Sequence, residues 1–569
     1  MADSGPVASA LGRVGRARYW RWMALQLHAL TGLRFWLILW VVAYHYYADL
    51  LESEEVSTLP HVMIFDTLGD TLLSGTGRVH IAVCMFVTLS GFVTQWAYKP
   101  TPLAWRPLAL WYVRRLDRVL LSTWLWMAYS NLINIGRPPS VLSGVIAKGL
   151  PSHMFSQPTA GWTALCYAQL APWVAPQWLF HIPSTLAANP IGWLLDPHSS
   201  TAFLRENALV LCPNAPAWTV ASLIPQWIIF PLVTHPILDA VTVRGGTAGL
   251  CALVLAVALL VVMPYVGTYL SQSNSIPASA VEWLYFHPVA SMPNFGLGAV
   301  VAALAQRVGS PSHAPSTAAA AHAAGKVDTV GTPNPALSGE SASSEPASSS
   351  RMSSWVAVGT SVLADACMLS LLAVAFVRLP DDGPKVTGVK AFLIPIAVLL
   401  FGGFLFGAAV GVSHARSPPT TLSAAFTAGG LFAWRLAQPV SRSLGVHAFE
   451  VYLMHSPIKE TLLLLTNSQK FQTAYAPVLS AITTWALAIV YATYVQDPAV
   501  GFVRTLATRA LGGAEGGARR GGGAPSAAAS DSAADHATNC AASAAEAGDA
   551  AASRRAVADE HTPLAAYKQ

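Results

Sequence analysis

Long apolar stretches recur along the chain, and their length is the first feature that separates it from a soluble protein. Each holds about 18 or more mostly apolar residues, enough for a helix to cross roughly 30 Å of hydrocarbon. Because the stretches are continuous and do not alternate, they predict transmembrane helices and not the strands of a barrel. The predicted spans are residues 28–50, 79–98, 117–136, 216–235, 247–268, 283–305, 354–378, 389–413, 444–466 and 475–497.

Two further stretches of the chain are apolar but do not form clean spans. Trp162–Phe180 is interrupted by Pro172 and Pro176, and Leu422–Phe432 is short. Both fit re-entrant or interfacial segments better than full crossings. We therefore predict an all-α, polytopic, multi-pass membrane protein with about ten transmembrane helices, or eleven if one of these segments crosses.

Basic residues beside the early spans predict how the chain is oriented in the membrane. They cluster before the first span and after the second, and such clusters favour the cytoplasmic side. The residues are Arg13, Arg16, Arg18 and Arg21, then Lys99, Arg106, Arg114, Arg115 and Arg118. With an even number of spans, both termini of the chain are expected in the cytoplasm.

Two low-complexity stretches divide the apolar core. Residues 308–352 are rich in Ala, Ser, Gly and Pro, and residues 510–569 are rich in Ala and Gly. Neither composition can bury a core of its own. The predicted organisation is a basic cytoplasmic N-terminus (1–27), a first part of the transmembrane core (28–305), a low-complexity cytoplasmic linker (306–353), a second part of the core (354–500) and a disordered cytoplasmic tail (501–569).

Composition supports the membrane class and excludes several functions. The 569 residues are 53% hydrophobic and only 11% charged, with a mean hydropathy of +0.46. The net charge is +5, and the basic residues lie at membrane edges, so we expect contact with lipids and no nucleic-acid binding. We find no phosphate-binding glycine loop and no metal-ligand spacing. Cys166 and Cys212 share one predicted loop and either pair or remain thiols.

Two ionisable residues inside the first span are the strongest chemical signal from the residues alone. Arg34 and His45 share one helix face, about 16 Å apart along the axis. Histidine suits the removal of a proton from a hydroxyl near neutral pH, and arginine suits phosphate recognition. An acyl-coenzyme A, with phosphates at one end and a thioester at the other, would fit this spacing. Alternatively, Arg34 reaches the lipid headgroups and His45 is a packing residue.

Six short motifs occur in one order along residues 28–500. They are Leu33-Arg34-Phe35 through Ala43-Tyr44-His45, Phe86 through Val93 with its Ser-Gly-Phe, Arg114 through Arg118, Trp218 through Pro231, Pro293 through Gly298, and Leu444 through Pro457. Any one of them is common in membrane proteins, but their order resembles that of acyltransferase family three. This family contains membrane enzymes that O-acylate sugars and other hydroxyl compounds.

The resemblance implies roles for residues of this chain. Arg34 and His45 would be the essential pair of the first helix, with His45 as the general base. Arg115 and Arg118, with Arg114 beside them, would contact an acyl-coenzyme A donor, most simply acetyl-coenzyme A, on the cytoplasmic side. The acceptor would be a hydroxyl group of a glycan, a lipid or another small molecule. The same arginines also obey the positive-inside rule, which alone would explain a contact with lipid phosphate.

Further positions resemble family motifs without a defined role. We expect Ser90, Trp218, Tyr452 and His455 to line the site, although His455 could instead close a structural hydrogen bond. Glycines at these motifs are expected to allow close helix packing and not chemistry. They are Gly91, Gly296 and Gly298.

One departure from the family pattern weakens the functional prediction. Many members continue the tryptophan motif as Trp-Ser-Leu-Ser-Val-Glu, whereas this chain lacks the carboxylate. Asp365 and Glu450 lie inside predicted spans and are candidate substitutes. Two other hypotheses remain open: a transporter that moves its substrate without reacting it, and an inactive relative that acts as a scaffold. The ordered motifs favour the enzyme. The run that departs reads Trp218-Thr219-Val220-Ala221-Ser222-Leu223-Ile224.

Overall fold

A computed structural model describes ten stretches of the chain, and all but the three residues 167–169 are predominantly helical. No strand occurs among these residues, which confirms the predicted all-α class. Cys166, Cys212 and most of Trp162–Phe180 lie outside the described residues. The described residues are 28–46, 78–98, 104–136, 167–169, 216–271, 288–309, 348–376, 388–414, 429–466 and 475–518.

The helices are numbered here in chain order. The first group is α1 (residues 28–46), α2 (Arg78–Ala97), α3 (Trp105–Gly136), α4 (Ala217–Ile229), α5 (His235–Ser271) and α6 (Pro288–Gly309). The second group is α7 (Ser348–Phe376), α8 (Gly388–His414), α9 (Leu431–Leu436), α10 (Pro439–Val446), α11 (Ala448–Leu465), α12 (Tyr475–Tyr491) and α13 (Asp497–Ala518).

Five helical stretches in the described part of the chain are long and apolar enough to cross a membrane. Helix α2 adds the shorter apolar stretch Ile81–Ala97. Large apolar side chains point outward from several of these helices, as lipid contact would require: Leu259 on α5, Leu369 on α7 and Ile482 on α12 are all exposed. The predicted count of ten and the sidedness of the termini stay predictions. The five are Ala217–Gly267, Val289–Gly309, Trp355–Ala375, Phe392–Gly411 and Val478–Leu511.

The predicted spans 216–235 and 247–268 form one nearly continuous helical path. A π-helical turn, Phe230–Thr234, joins α4 to α5, and the backbone leaves helical geometry only at Gly246. There φ is 56° and ψ is −145°, a conformation that glycine adopts without steric cost. The path therefore consists of two helices that meet at a kink. This break falls in the interval between the two predicted spans.

Helices α2 and α6 pack backbone against backbone. A Cβ atom added to Gly91 would lie 2.0 Å from the carbonyl oxygen of Phe295, and one added to Gly298 would lie 1.9 Å from that of Thr88. Only glycine fits at such distances. The packing role predicted for Gly91 and Gly298 is therefore confirmed, whereas the nearest atom at Gly296 is Val257 Cγ1 at 3.6 Å, an ordinary contact.

The last helical path continues beyond its predicted end. Helix α12 passes through a second π-helical turn, Ala492–Gln496, into α13, which ends at Ala518. Residues 501–518, assigned from composition to a disordered tail, are helical. The chain up to Arg504 forms one compact unit, and Thr505–Gln569 forms a second.

Candidate functional site

Helix α1 lies alongside α11, and the chain just before α11 fixes the start of this contact. A Cβ atom on Gly32 would lie 1.8 Å from the carbonyl oxygen of Leu436, and one on Gly445 would lie 1.9 Å from that of Thr31. Towards the other end of α1, Lys459 Nζ donates to the carbonyl oxygen of His45 at 3.0 Å. The two helices therefore run in the same direction. We call the contact between residues 28–46 and Ala448–Leu465 the α1–α11 seam.

The first half of the seam holds a cluster of charged side chains. Arg34 interacts electrostatically with Glu450 of α11 and with Arg115 of α3. Glu450 is 1% exposed, and its Oε2 atom has no hydrogen-bond partner among the described residues. Arg115 stacks over the ring of Trp227 at 4.7 Å and donates from Nη2 to Thr94 Oγ1 at 2.5 Å. Arg34 therefore lies between the carboxylate of Glu450 and a second arginine, Arg115.

The second half of the seam holds two histidines. The ring of His45 is exposed, and its centre lies 5.1 Å from the ring centre of the buried His455. His455 Nδ1 lies 2.6 Å from the carbonyl oxygen of Tyr452. The hydroxyl of Tyr46 donates to the carbonyl oxygen of His455 at 2.9 Å, which holds this turn of α11 against α1. Arg34 and His45 therefore both lie next to α11, at two different positions along its axis.

Tyr452 connects the seam to α4. Its hydroxyl hydrogen-bonds to the hydroxyl of Thr219, the residue after the half-buried Trp218. Ser90 of α2 lies near the charged half of the seam. Its hydroxyl accepts a hydrogen bond from Trp227 Nε1 at 3.2 Å, and the guanidinium of Arg115 stacks over the ring of Trp227. The predicted lining residues are thus linked to the seam through α4.

A known protein family matches the part of the chain that carries the ordered motifs. The family model of the acyltransferase domain of acyltransferase family three matches residues 27–495, which is most of the chain. The chain belongs to this family. No curated protein and no solved structure matches it. Membership confirms the resemblance carried by the ordered motifs and makes the chain a membrane acyltransferase in general terms.

The acyltransferase has an apolar residue where many members carry the glutamate of the tryptophan motif. That position is Leu223, which is 8% exposed and packs in an apolar cluster with Val87 and Trp227. No charge is accommodated there. Of the two candidate substitutes, Glu450 is the carboxylate that interacts with Arg34.

The other candidate, Asp365, has a structural position. Its two carboxylate oxygens accept hydrogen bonds from the backbone N–H groups of Leu431, at 2.8 Å, and Phe432, at 3.0 Å. These are the first residues of the short helix α9, whose N–H groups have no partner within the helix. Asp365 therefore caps α9 from α7, and none of its described contacts lies in the seam.

Two of the three predicted donor-binding arginines of the acyltransferase have partners outside the α1–α11 seam, although Arg118 also interacts electrostatically with Glu450. Arg118 forms an ion pair with Asp497 at the start of α13. Arg114 is exposed, and its carbonyl oxygen accepts a hydrogen bond from Arg504 at 3.3 Å. Arg504 also donates from Nε to the buried carboxylate of Asp117 at 2.5 Å. Only Arg115 of this group interacts with Arg34.

Sequence reasoning missed Lys459 and Thr219. Lys459 follows His455 by four residues, so the two side chains share a helix face, and this spacing could have drawn attention to it. Nothing in the sequence singled out Thr219, because its partner Tyr452 is 233 residues away. Among the described residues, no group of three or more His, Cys, Asp or Glu side chains could hold a metal ion.

Proposed function

We propose that this acyltransferase moves an acyl group, most simply acetyl, from acyl-coenzyme A to a hydroxyl of a carbohydrate, lipid or other small acceptor, with His45 as general base. The observation that carries the proposal is the α1–α11 seam. It presents Arg34 with Arg115 in one half and the His45–His455 ring contact in the other. Guanidinium groups suit phosphate, and imidazole suits proton removal from a hydroxyl.

In this proposal Arg34 and Arg115 bind the phosphates of the acyl-coenzyme A donor. Arg114 is exposed and suits the first capture of a polyanion, whereas Arg118 already pairs with Asp497. From Arg34 to His45 the helix rises about 16 Å. A donor whose phosphates lie at Arg34 would extend its pantetheine arm along the seam and bring the thioester to His45.

The chemical step needs one base and one acid at the thioester end. An imidazole nitrogen of His45 takes the proton of the acceptor hydroxyl as the hydroxyl oxygen attacks the thioester carbon. The new C–O bond forms, the C–S bond breaks, and the imidazolium returns the proton to the leaving thiolate. The products are the acyl ester and coenzyme A. A covalent acyl-histidine relay is the alternative route, and labelled protein trapped after brief exposure to the donor would reveal it.

The test is transfer of radiolabelled acetyl from acetyl-coenzyme A to a mixture of glycans and lipids by the purified protein. We expect wild type to transfer label and His45→Ala to lose at least about a hundredfold of the rate. His235→Ala is the matched control, because His235 lies at the start of α5 with Nδ1 3.3 Å from Gln95 Oε1, away from the seam. It should keep most of the activity.

The buried Leu223 at the missing glutamate gives the rival hypothesis, an inactive relative, one specific observation in its favour. A wild type that transfers no label from acetyl-, propionyl- or longer acyl-coenzyme A donors would overturn the proposal. Substrate movement without acylation, measured in proteoliposomes, would then favour a transporter.

A further inference from the structure

The orientation of the His455 ring fixes where its proton lies. A carbonyl oxygen only accepts hydrogen bonds, so Nδ1 of His455, 2.6 Å from the carbonyl oxygen of Tyr452, must carry hydrogen. In the neutral ring, Nε2 is then the nitrogen with a free lone pair. His455 is 1% exposed, so this assignment is set by the protein and not by bulk water.

The distance between the two histidine rings suits a hydrogen bond through their edges. An imidazole nitrogen lies about 1.1 Å from the ring centre, so a hydrogen bond of about 2.9 Å between two nitrogens separates the centres by about 5.1 Å. The observed separation is 5.1 Å, with 33° between the ring planes. The observed separation is therefore the one that a hydrogen bond from a His45 N–H to Nε2 of His455 requires.

The backbone around this pair is held from both helices. Lys459 Nζ donates to the carbonyl oxygen of His45 at 3.0 Å. The Tyr46 hydroxyl donates to the carbonyl oxygen of His455 and also lies 2.9 Å from Thr484 Oγ1. These hydrogen bonds hold the backbone at both ring positions in place.

We infer that His455 is a positioning residue for His45: its Nε2 atom accepts the N–H of His45 and thereby directs the other, unprotonated nitrogen of His45 at the acceptor hydroxyl. The inference rests on the proposed function. His455 neither gains nor loses a proton over the reaction. His45 takes one from the hydroxyl and returns it to the thiolate. The role corresponds to that of an outer hydrogen-bonding group that selects the tautomer of an inner histidine.

Two substitutions at position 455 separate this role from a structural one. His455→Asn keeps an N–H group near the place of Nδ1, so it can still bond the Tyr452 carbonyl, but it lacks an acceptor at the place of Nε2. His455→Gln carries an oxygen near the place of Nε2. Positioning therefore predicts that Gln retains more activity than Asn. A purely structural histidine predicts the reverse.

We expect kcat of His455→Asn to fall about a hundredfold and that of His455→Gln about tenfold or less. The KM for acetyl-coenzyme A should change less than about twofold, because the phosphate end of the seam is intact. Equal kcat values for wild type and Asn, or a Gln variant slower than Asn, would overturn the assignment. If wild type transfers acetyl and His45→Ala does not, such a result leaves the proposed function standing. A wild type that transfers no label from acetyl-, propionyl- or longer acyl-coenzyme A donors overturns both.

A second measurement leaves His455 unchanged, in case its variants do not fold. In His45→Gly, added imidazole and N-methylimidazole are bases of similar strength, but only imidazole has an N–H to give to His455. We expect imidazole to restore at least about tenfold more transfer than N-methylimidazole. Equal rescue by the two bases would contradict the inference.

Discussion

The α2–α6 contact and the α1–α11 seam show two uses of helix packing in one molecule. Gly91 and Gly298 bring α2 and α6 together until backbone meets backbone. The seam closes in the same way only at its start, where Gly32 and Gly445 meet neighbouring carbonyls. Beyond that point long ionisable side chains occupy it. Where glycines close the gap between helices no substrate group can enter. The chemistry is therefore expected where the seam has no such closure.

We expect the largest effect from adding one carbon atom to the backbone contact between α2 and α6. In Gly298→Ala the new Cβ would meet Thr88 O at 1.9 Å and Phe92 N at 2.8 Å, both of them backbone atoms. We expect a loss of about 3 kcal/mol, enough to abolish most folded protein. The measurement is the monodisperse yield and the melting temperature in detergent. Gly296→Ala, with 3.6 Å to its nearest neighbour, should behave like wild type; equal losses would contradict the packing argument.

At the charged end of the seam, Arg34→Leu should act through the donor. It removes one of the two neighbouring arginines assigned to the donor phosphates, and we expect kcat/KM for acetyl-coenzyme A to fall at least about a hundredfold, or roughly 3 kcal/mol. S-acetyl-pantetheine lacks the nucleotide phosphates and serves as the matched donor. Its kcat/KM should fall less than about fivefold. A similar fall for both donors would show that Arg34 acts on something other than phosphate.

At the histidine end, Lys459→Met should have a smaller effect. It removes the hydrogen bond to the carbonyl oxygen of His45 and the ammonium next to the ring pair. We expect about a tenfold decrease in kcat, because a charged hydrogen bond contributes roughly 1.5 kcal/mol or more. Lys459→Arg keeps the charge and should recover most of the rate. A Met variant with the kcat of wild type would show that Lys459 has no role in the reaction.

The smallest expected effect lies at the link between the seam and α4. Thr219→Val keeps the shape of the side chain and removes its hydrogen bond with Tyr452. The free energy of unfolding should fall by about 1 kcal/mol, read as a lower melting temperature. Thr219→Ser keeps the hydroxyl and should stay closer to wild type. A Val variant that melts at the wild-type temperature would show that this hydrogen bond does not stabilise the fold.

The sequence predicted best what lies within one helix. Arg34 and His45 could be placed on one face of α1 because helical periodicity alone decides it, and the structure places both against α11. The sequence could not show that Glu450 and His455 are the neighbours of this pair, because those residues are some four hundred positions away and no local pattern indicates such a contact. The backbone break at Gly246 lies between the two spans predicted in this part of the chain, where Gly245 and Gly246 interrupt the apolar run.

Roles that depend on the partner were beyond the sequence. Asp365 lies within an apolar span, which is the usual sign of function, yet its partners are the backbone N–H groups of α9. Arg118 and Arg115 have the same predicted role in the sequence, but the structure shows that Arg118 forms an ion pair with Asp497. In both cases the partner lies on another helix, and the sequence alone does not show which helices are neighbours.

The π-helical turn Ala492–Gln496 has a consequence for how this chain tolerates insertions and deletions. Such a turn contains one residue more than an α-helical turn, and that residue rotates everything after it by about 100° relative to an uninterrupted helix. Asp497 and Arg504 lie after the turn, and they reach Arg118 and Asp117 with this rotation in place. Loss of a single codon here would preserve the reading frame and a regular helix. Because the deletion removes the extra residue together with its rotation, both charged side chains would still face α3, whereas the same deletion in an α-helical turn would turn everything after it by about 100°.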